Sequence, residues 1–220
     1  MAHWAFRRLS GTLAREGFHV LRFDWTGTGD SWGSPTDGTP QTWLLDIVTA
    51  ARELQDAAGT SAISVVGRRL GATMAALACA ENLDVETLVL WDPVVSGRGY
   101  LRELDALDGR ENMRLLRGSR SRHDELLGFP VTRELRTAIE EIDLRNLRRP
   151  RARNVAVVST ADRAEYRQLA TSVSAGEAPA AYEHVPEDSS STNAGEREAA
   201  LLYTRCLSAI SDRLAGRPSA

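Results

Sequence analysis

The sequence contains no lysine, so arginine supplies all 27 of its basic side chains. Without lysine, neither a Schiff-base amine nor the lysine of a phosphate-binding loop is available for chemistry. The 30 acidic residues outnumber the basic ones and give a net charge of −3. That balance argues against bulk electrostatic binding to nucleic acid or to an anionic membrane surface. We therefore expect no nucleic-acid partner.

Cysteine and long apolar runs are also scarce. The two cysteines, Cys79 and Cys206, do not make a disulfide framework or a zinc site. No stretch approaches the roughly 20 apolar residues of a membrane-spanning helix, and the first four residues show no apolar run of a signal peptide. The sequence therefore predicts no membrane segment, no cofactor or metal, and a cytoplasmic location.

Apolar patterns along the chain alternate between those of strands and those of helices. Apolar residues at helical spacing predict helices at 4–16, 42–58, 70–80 and 195–215. Short apolar runs predict strands at 19–23, 62–66, 87–91, 154–158 and 180–185. Nearly continuous apolar strands between helices are typical of an α/β fold, a mostly parallel sheet with helices on both faces. Residues 98–150 are charged and mainly helical, which predicts a helical cap insertion within a single domain spanning 1–220.

Three segments carry more specific patterns. Segment 24–33 reads Asp-x-x-Gly-x-Gly-x-Ser-x-Gly, segment 67–71 reads Gly-Arg-Arg-Leu-Gly between a strand and a helix, and segment 88–104 begins as the next strand. Together they resemble the α/β-hydrolase superfamily, near the bacterial hydrolase-like subgroup that includes exosortase-associated hydrolases. That subgroup often has arginine in the middle of the turn at 67–71. The glycines of 24–33 do not predict a dinucleotide site, because the third glycine of that pattern is missing.

In the resembled superfamily, segment 67–71 is the nucleophile elbow, a tight turn whose middle residue is serine, cysteine or aspartate. Arg69 occupies that middle position here. A guanidinium stays protonated at ordinary pH and has no lone pair with which to attack a carbonyl. The resemblance therefore implies a protein of serine-hydrolase ancestry whose catalysis is absent or strongly impaired.

The resemblance gives only weak counterparts for the other catalytic residues. Asp162 follows the strand at 154–158, where the acid of the superfamily lies. The histidine should follow the last strand, but the nearest one, His184, falls inside the predicted strand. Cys79 lies in an apolar helix and is expected to be an inert core residue, not a substitute nucleophile.

Arg69 requires an anion nearby, because a partly buried guanidinium is costly without one. The preferred expectation is a built-in partner, Asp92 or Asp162, since both follow strands at the same edge of the sheet. Alternatively, Arg69 and the amide of Leu70, at the amino end of the following helix, could bind the carboxylate or phosphate of a small ligand.

One strand of the resembled fold has no counterpart in this sequence. In that fold, a strand that precedes the first helix lies between the strands at 19–23 and 62–66, so the sheet is truncated at the amino end. We expect 19–23 to shift and pair directly with 62–66, because each buried main-chain group left unpaired costs about 1–3 kcal/mol. Two alternatives remain: the exposed sheet edge binds a protein partner or a second copy of the chain, or the protein is poorly stable alone.

Three functions remain open from the sequence. The first is a non-catalytic or strongly impaired hydrolase-fold protein that binds an anionic ligand or a partner. The second is an active hydrolase of small esters, thioesters or amides that uses unrecognised residues. The third is a fragment of a longer hydrolase-like protein.

Overall fold

The computed structural model describes residues 2–114, 125–174, 180–186 and 196–217. The strands are β1 (Ser64–Arg68), β2 (Val85–Trp91), β3 (Glu125–Leu126), β4 (Phe129–Pro130), β5 (Ala152–Ser159) and β6 (Ala181–His184). Four of them form a parallel sheet in the order β1-β2-β5-β6, and β3 and β4 pair as a short antiparallel hairpin. The predicted parallel α/β architecture is confirmed.

The helices of the described chain are α1 (Ala2–Arg15), α2 (Pro40–Ala58), α3 (Leu70–Glu81), α4 (Gly97–Arg114), α5 (Arg133–Glu140), α6 (Ala164–Ser172) and α7 (Glu196–Leu214). Local sequence explains where several of them begin. The side chain of Thr39 caps α2 by accepting a hydrogen bond from the amide of Thr42, and Pro40 occupies the first helical position. The predicted helices and strands therefore match the structure closely, except at 19–23.

Successive side chains of the sheet enter two separate apolar cores. Leu88 and Leu90 of β2 face a core formed with α2 and α3, whereas Val89 and Trp91 face a second core formed with α1 and α7. Each of these four side chains is fully buried. Burial on both faces explains why the strands read as continuous apolar runs and not as alternating patterns.

The chain between β2 and β5 contains α4, the β3–β4 hairpin and α5. Arg136 of α5 donates two hydrogen bonds to Asp105 of α4, at 3.0 and 2.8 Å. A Cβ at Gly97 would lie 1.6 Å from the carbonyl oxygen of Ile139, so the start of α4 packs directly on α5. This segment covers most of the predicted insertion at 98–150, and its role as a cap stays a prediction.

The predicted strand at 19–23 is wrong. These residues have no regular secondary structure, and β1 pairs only with β2 among the described residues. Val20, Leu21 and Phe23 remain 38%, 43% and 41% exposed.

The expected direct pairing of 19–23 with β1 is wrong for the same reason, and the anchoring of the following residues explains it. The amide and hydroxyl of Thr26 donate to Asp46 of α2, at 2.8 and 3.0 Å. The ring of Trp25 packs on that of Trp43, with centroids 4.7 Å apart. These contacts hold the end of the segment on α2, where it does not pair with β1.

Candidate functional site

The turn between β1 and α3 has strained geometry at its middle residue. Arg69 has φ 53° and ψ −125°, a region that side chains other than glycine rarely enter. The amide of Arg69 donates to the carbonyl of Trp91 at 2.9 Å, which fixes the turn to β2. A Cβ at Gly67 would lie 2.4 Å from the carbonyl oxygen of Gly71. Only glycine at position 67 therefore allows the strand and the helix to approach so closely.

The side chain of Arg69 forms an ion pair with α4. Its Nη2 atom lies 2.8 Å from Oε2 of Glu103, and its guanidinium lies 5.4 Å from the ring centroid of Tyr100. The side chains of Arg69 and Glu103 are 32% and 42% exposed. Burial alone would lower the pKa of Arg69, but the hydrogen bond and charge of Glu103 outweigh it, so the pKa is raised. Arg69 therefore pairs with a carboxylate of its own chain, but that carboxylate is Glu103 and not Asp92 or Asp162 as expected.

Asp92 was expected to face Arg69, and the structure gives it another partner. Asp92 follows β2, is buried, and adopts a positive φ of 45°. One carboxylate oxygen accepts a hydrogen bond from the amide of Thr160 at 2.8 Å, and the other accepts from the hydroxyl of Thr160 at 2.9 Å. Both oxygens are therefore engaged by the turn after β5, which explains why Asp92 does not pair with Arg69.

Asp162 lies after β5, as the sequence predicted, but its carboxylate is also occupied. It accepts hydrogen bonds from the guanidinium of Arg167 and from the hydroxyl of Tyr182, the latter at 3.2 Å. His184 lies at the end of β6, in register with Ser159. Within the described ranges, no hydrogen bond joins His184 to Asp162. The structure therefore does not bring these two candidate residues together as an acid–histidine pair.

Leu70 is the first residue of α3, so its amide lies at the positive end of that helix. The amides of Ala72 and Thr73 both donate to the carbonyl of Arg69. No acceptor within the part of the chain that the structure describes receives a hydrogen bond from the amides of Leu70 or Gly71. This end of the helix therefore presents two main-chain donors beside Arg69.

The sequence patterns did not identify three residues that surround Arg69 in the structure: Tyr100, Glu103 and Tyr166. Tyr166, on α6, is only 2% exposed. Burial, followed by the charge of Asp92, raises the pKa of its hydroxyl. Tyr100 and Glu103 did carry a signal, since residues three apart share one face of a helix. Nothing in the sequence pattern, however, indicated that this face of α4 meets the turn after β1.

The described ranges contain neither a cluster of metal-ligating side chains nor a helix that could span a membrane. Residues 2–114, 125–174, 180–186 and 196–217 contain no group of three or more histidine, cysteine, aspartate or glutamate side chains that could hold a metal ion. No helix within the same ranges is long and apolar enough to cross a bilayer.

The family model of the serine aminopeptidases S33, a family of α/β-hydrolases, matches residues 2–175. The chain belongs to this family. The resemblance drawn from the sequence motifs is thereby confirmed at the level of the superfamily, and the closer subgroup stays a prediction. No curated protein matches the sequence.

Solved structures with the same fold include hydrolases of several kinds. The chain is similar to an esterase from Pyrococcus furiosus, with a TM-score of 0.59, 15% identity and coverage of 95% of this chain and 74% of the esterase. It is similar to proline iminopeptidase from Mycobacterium smegmatis, with a TM-score of 0.58, 14% identity and coverage of 97% and 85%. The mouse alpha/beta hydrolase domain-containing protein 10 gives a TM-score of 0.55, 17% identity and coverage of 96% and 82%. At these identities, the likeness shows the fold alone.

Proposed function

We propose that this chain is a non-catalytic or strongly impaired member of its hydrolase family, whose former catalytic site binds an anion. The observation that carries the proposal is the position of Arg69, which occupies the middle of the turn at φ 53° and holds Glu103 in an ion pair. In the pattern of the superfamily, this position belongs to the nucleophile. A guanidinium in that place attracts anions and cannot form an acyl intermediate.

The surroundings of Arg69 support the loss of acyl transfer. That chemistry needs a histidine that removes the proton of the nucleophile and an acid that orients the histidine. His184 and Asp162 share no hydrogen bond, and Asp162 is engaged by Arg167 and Tyr182. These two residues therefore do not form the acid–histidine pair that would activate a nucleophile.

The anion could be a carboxylate or phosphate group of a small ligand. The amides of Leu70 and Gly71 lie at the amino end of α3, the positive end of the helix, and directly follow Arg69 in the chain. Glu103 already supplies a carboxylate to Arg69, so a ligand would compete with this side chain. Asp92 supports the site indirectly, because it fixes the neighbouring turn through Thr160.

The test is an activity measurement on the purified protein. We expect no hydrolysis of short p-nitrophenyl esters above that of an Arg69→Ala variant, and no labelling by a fluorophosphonate probe. An active hydrolase remains the second candidate, because membership of the serine aminopeptidase family favours it. Labelling that maps to one serine of this chain would establish that alternative and overturn our proposal.

A further inference from the structure

The hydroxyl of Tyr166 is a buried polar group without a hydrogen-bond partner in the part of the chain that the structure describes. Tyr166 lies in the first turn of α6 and is only 2% exposed. The guanidinium of Arg163 lies 5.8 Å from the centroid of its ring, but no described residue exchanges a hydrogen bond with its hydroxyl. Because a buried hydroxyl without a partner is costly, this side chain indicates a group that binds beside it.

Electrostatic effects link the hydroxyl of Tyr166 to Arg69. Burial is the largest influence on the pKa of Tyr166 and raises it, followed by the charge of Asp92, while the charge of Arg69 acts in the opposite direction. Tyr166 acts on the pKa of Arg69 in turn, after the larger effects of burial and of Glu103. With its pKa raised, the hydroxyl stays protonated near neutral pH and is available as a hydrogen-bond donor.

Two main-chain donors directly follow Arg69 in the chain. The amides of Leu70 and Gly71 lie at the amino end of α3, the positive end of the helix, and no acceptor within the described ranges receives a hydrogen bond from them. The guanidinium of Arg69 lies 5.4 Å from the ring centroid of Tyr100. A guanidinium accompanied by amide and hydroxyl donors is a set of groups that binds the oxygen atoms of an anion.

The charges around Arg69 favour an anion with a single negative charge. Glu103 already pairs with Arg69 at 2.8 Å, and Asp92 is buried close enough to Tyr166 to raise its pKa. A phosphate monoester would add a charge of about −1.5 to −2 at pH 7, and like charges held close together repel each other. A carboxylate adds one charge, and its two oxygens match the planar guanidinium.

We propose that the site at Arg69 binds the carboxylate of a small organic acid, with the hydroxyl of Tyr166 as one of its donors, a proposal that rests on the anion site of the proposed function. Glu103 shows that Arg69 takes a carboxylate as its partner. The side chains of this pair are 32% and 42% exposed, so a ligand can reach them and replace Glu103. The ligand then supplies the acceptor that Tyr166 lacks.

Three ligands with the same ring test the chemical class. Benzoate presents a carboxylate, benzamide a neutral amide and phenyl phosphate a phosphate. Binding to the full chain is measured by isothermal titration calorimetry at about pH 7, where phenyl phosphate carries most of its second charge. We expect benzoate to bind at least about tenfold more tightly than either of the other two. Arg69→Ala should bind none of them.

Tyr166→Phe tests the hydroxyl and keeps the ring. We expect about tenfold weaker binding of benzoate to this variant, because one hydrogen bond to a charged group is lost. The midpoint of its urea unfolding should be unchanged or raised, because the hydroxyl has no partner to lose in the free protein. Unchanged affinity for benzoate, or a lowered midpoint, would overturn the role given to Tyr166.

Glu103→Gln removes the competing charge and should bind benzoate several-fold more tightly. Glu86→Gln is the matched control, because the Glu86 side chain is also 42% exposed and also pairs with an arginine, but at the start of β2. Its affinity for benzoate should equal that of wild type.

The outcomes separate this assignment from the proposed function. Tighter binding of phenyl phosphate than of benzoate, lost in Arg69→Ala, would overturn the carboxylate assignment and leave an anion site at Arg69. Absence of binding by both benzoate and acetate would also overturn it. Labelling of a serine by the fluorophosphonate probe, in contrast, would overturn the proposed function itself.

Discussion

Arg69 and Glu103 form an ion pair of 2.8 Å that joins the turn after β1 to α4. The two residues are 34 positions apart in the sequence. The guanidinium in the turn between β1 and α3 thus pairs with a side chain from the segment between β2 and β5. Because both side chains of this ion pair are partly exposed to solvent, the pair contributes little to the free energy of unfolding.

We expect the coupling between Arg69 and Glu103 to be small. The two side chains are about one third and two fifths exposed, and ion pairs of that kind contribute about 0.2–1 kcal/mol. Urea unfolding of Arg69→Ala, Glu103→Ala and the double variant measures the coupling energy. It should shrink when the salt concentration is raised. A coupling of about 3 kcal/mol or more, the size found for buried pairs, would contradict the exposure of this pair.

A serine at position 69 should not confer hydrolase activity. We expect Arg69→Ser to remain unlabelled by a fluorophosphonate probe, because no histidine of the described chain is hydrogen-bonded to Asp162 to activate the hydroxyl. Arg69→Ala provides the background, and circular dichroism shows whether both variants are folded. Rapid labelling at position 69 would mean that a base lies within reach of the serine hydroxyl and would contradict this prediction.

The parallel sheet and its helices were predictable because their signals are local. Strands β2 and β5 are apolar on both faces, and glycines mark the turn before α3, so patterns of a few residues suffice. Segment 19–23 has the same local pattern as these strands. Segment 19–23 forms no strand because a strand must also pair with a neighbouring edge, and the contacts of Trp25 and Thr26 hold the end of this segment on α2.

The site was predictable only in part, for a similar reason. The turn residues that position Arg69 are contiguous in the sequence, so the motif alone placed Arg69 at the middle of the turn. The partner of Arg69 depends on how α4 packs against the turn. It also depends on Thr160, which donates hydrogen bonds to both carboxylate oxygens of Asp92. Two carboxylates, Asp92 and Asp162, follow strands at this edge, and the sequence alone does not show that Glu103 of α4 takes their place.

Cys79 should be unreactive and should make stability depend on pH in a defined window. Burial, with a smaller effect of Asp84, raises the pKa of Cys79 from 9.0 to about 12. The unfolded chain therefore loses this proton first, so stability that is present below about pH 9 is lost as the pH rises toward about 12. Native protein should not react with a disulfide reagent until it unfolds.

A comparison with Cys79→Ala isolates this effect. Ionisation of the thiol should lower the free energy of unfolding of the wild-type protein by about 1 kcal/mol between about pH 8 and about pH 10. The Cys79→Ala variant should not show this loss. Tyr100 and Tyr166, whose pKa values are also raised by burial, are present in both proteins and cancel in the comparison. Parallel pH dependences of the two proteins would show that the thiol ionises as easily in the folded state as in the unfolded one.

The two glycines of the turn should respond in opposite ways to the same substitution. A Cβ at Gly67 would lie 2.4 Å from the carbonyl oxygen of Gly71 and 2.5 Å from the Cα atom of Ala72. Both obstacles are main-chain atoms, so the strand and α3 would have to separate. We expect Gly67→Ala to lower the free energy of unfolding by about 3 kcal/mol or more. A Cβ at Gly71 would meet only the ring of Trp25, at the ordinary contact distance of 3.7 Å.

Gly71→Ala is therefore the matched control for Gly67→Ala. Because Gly71 lies inside α3, alanine should be neutral there or stabilise the helix by up to about 1 kcal/mol. Urea unfolding of the two variants beside wild type measures both effects. Equal losses in the two variants would mean that the turn does not pack as tightly at Gly67 as its contacts require, and the strained conformation of Arg69 would then lack the support that holds it.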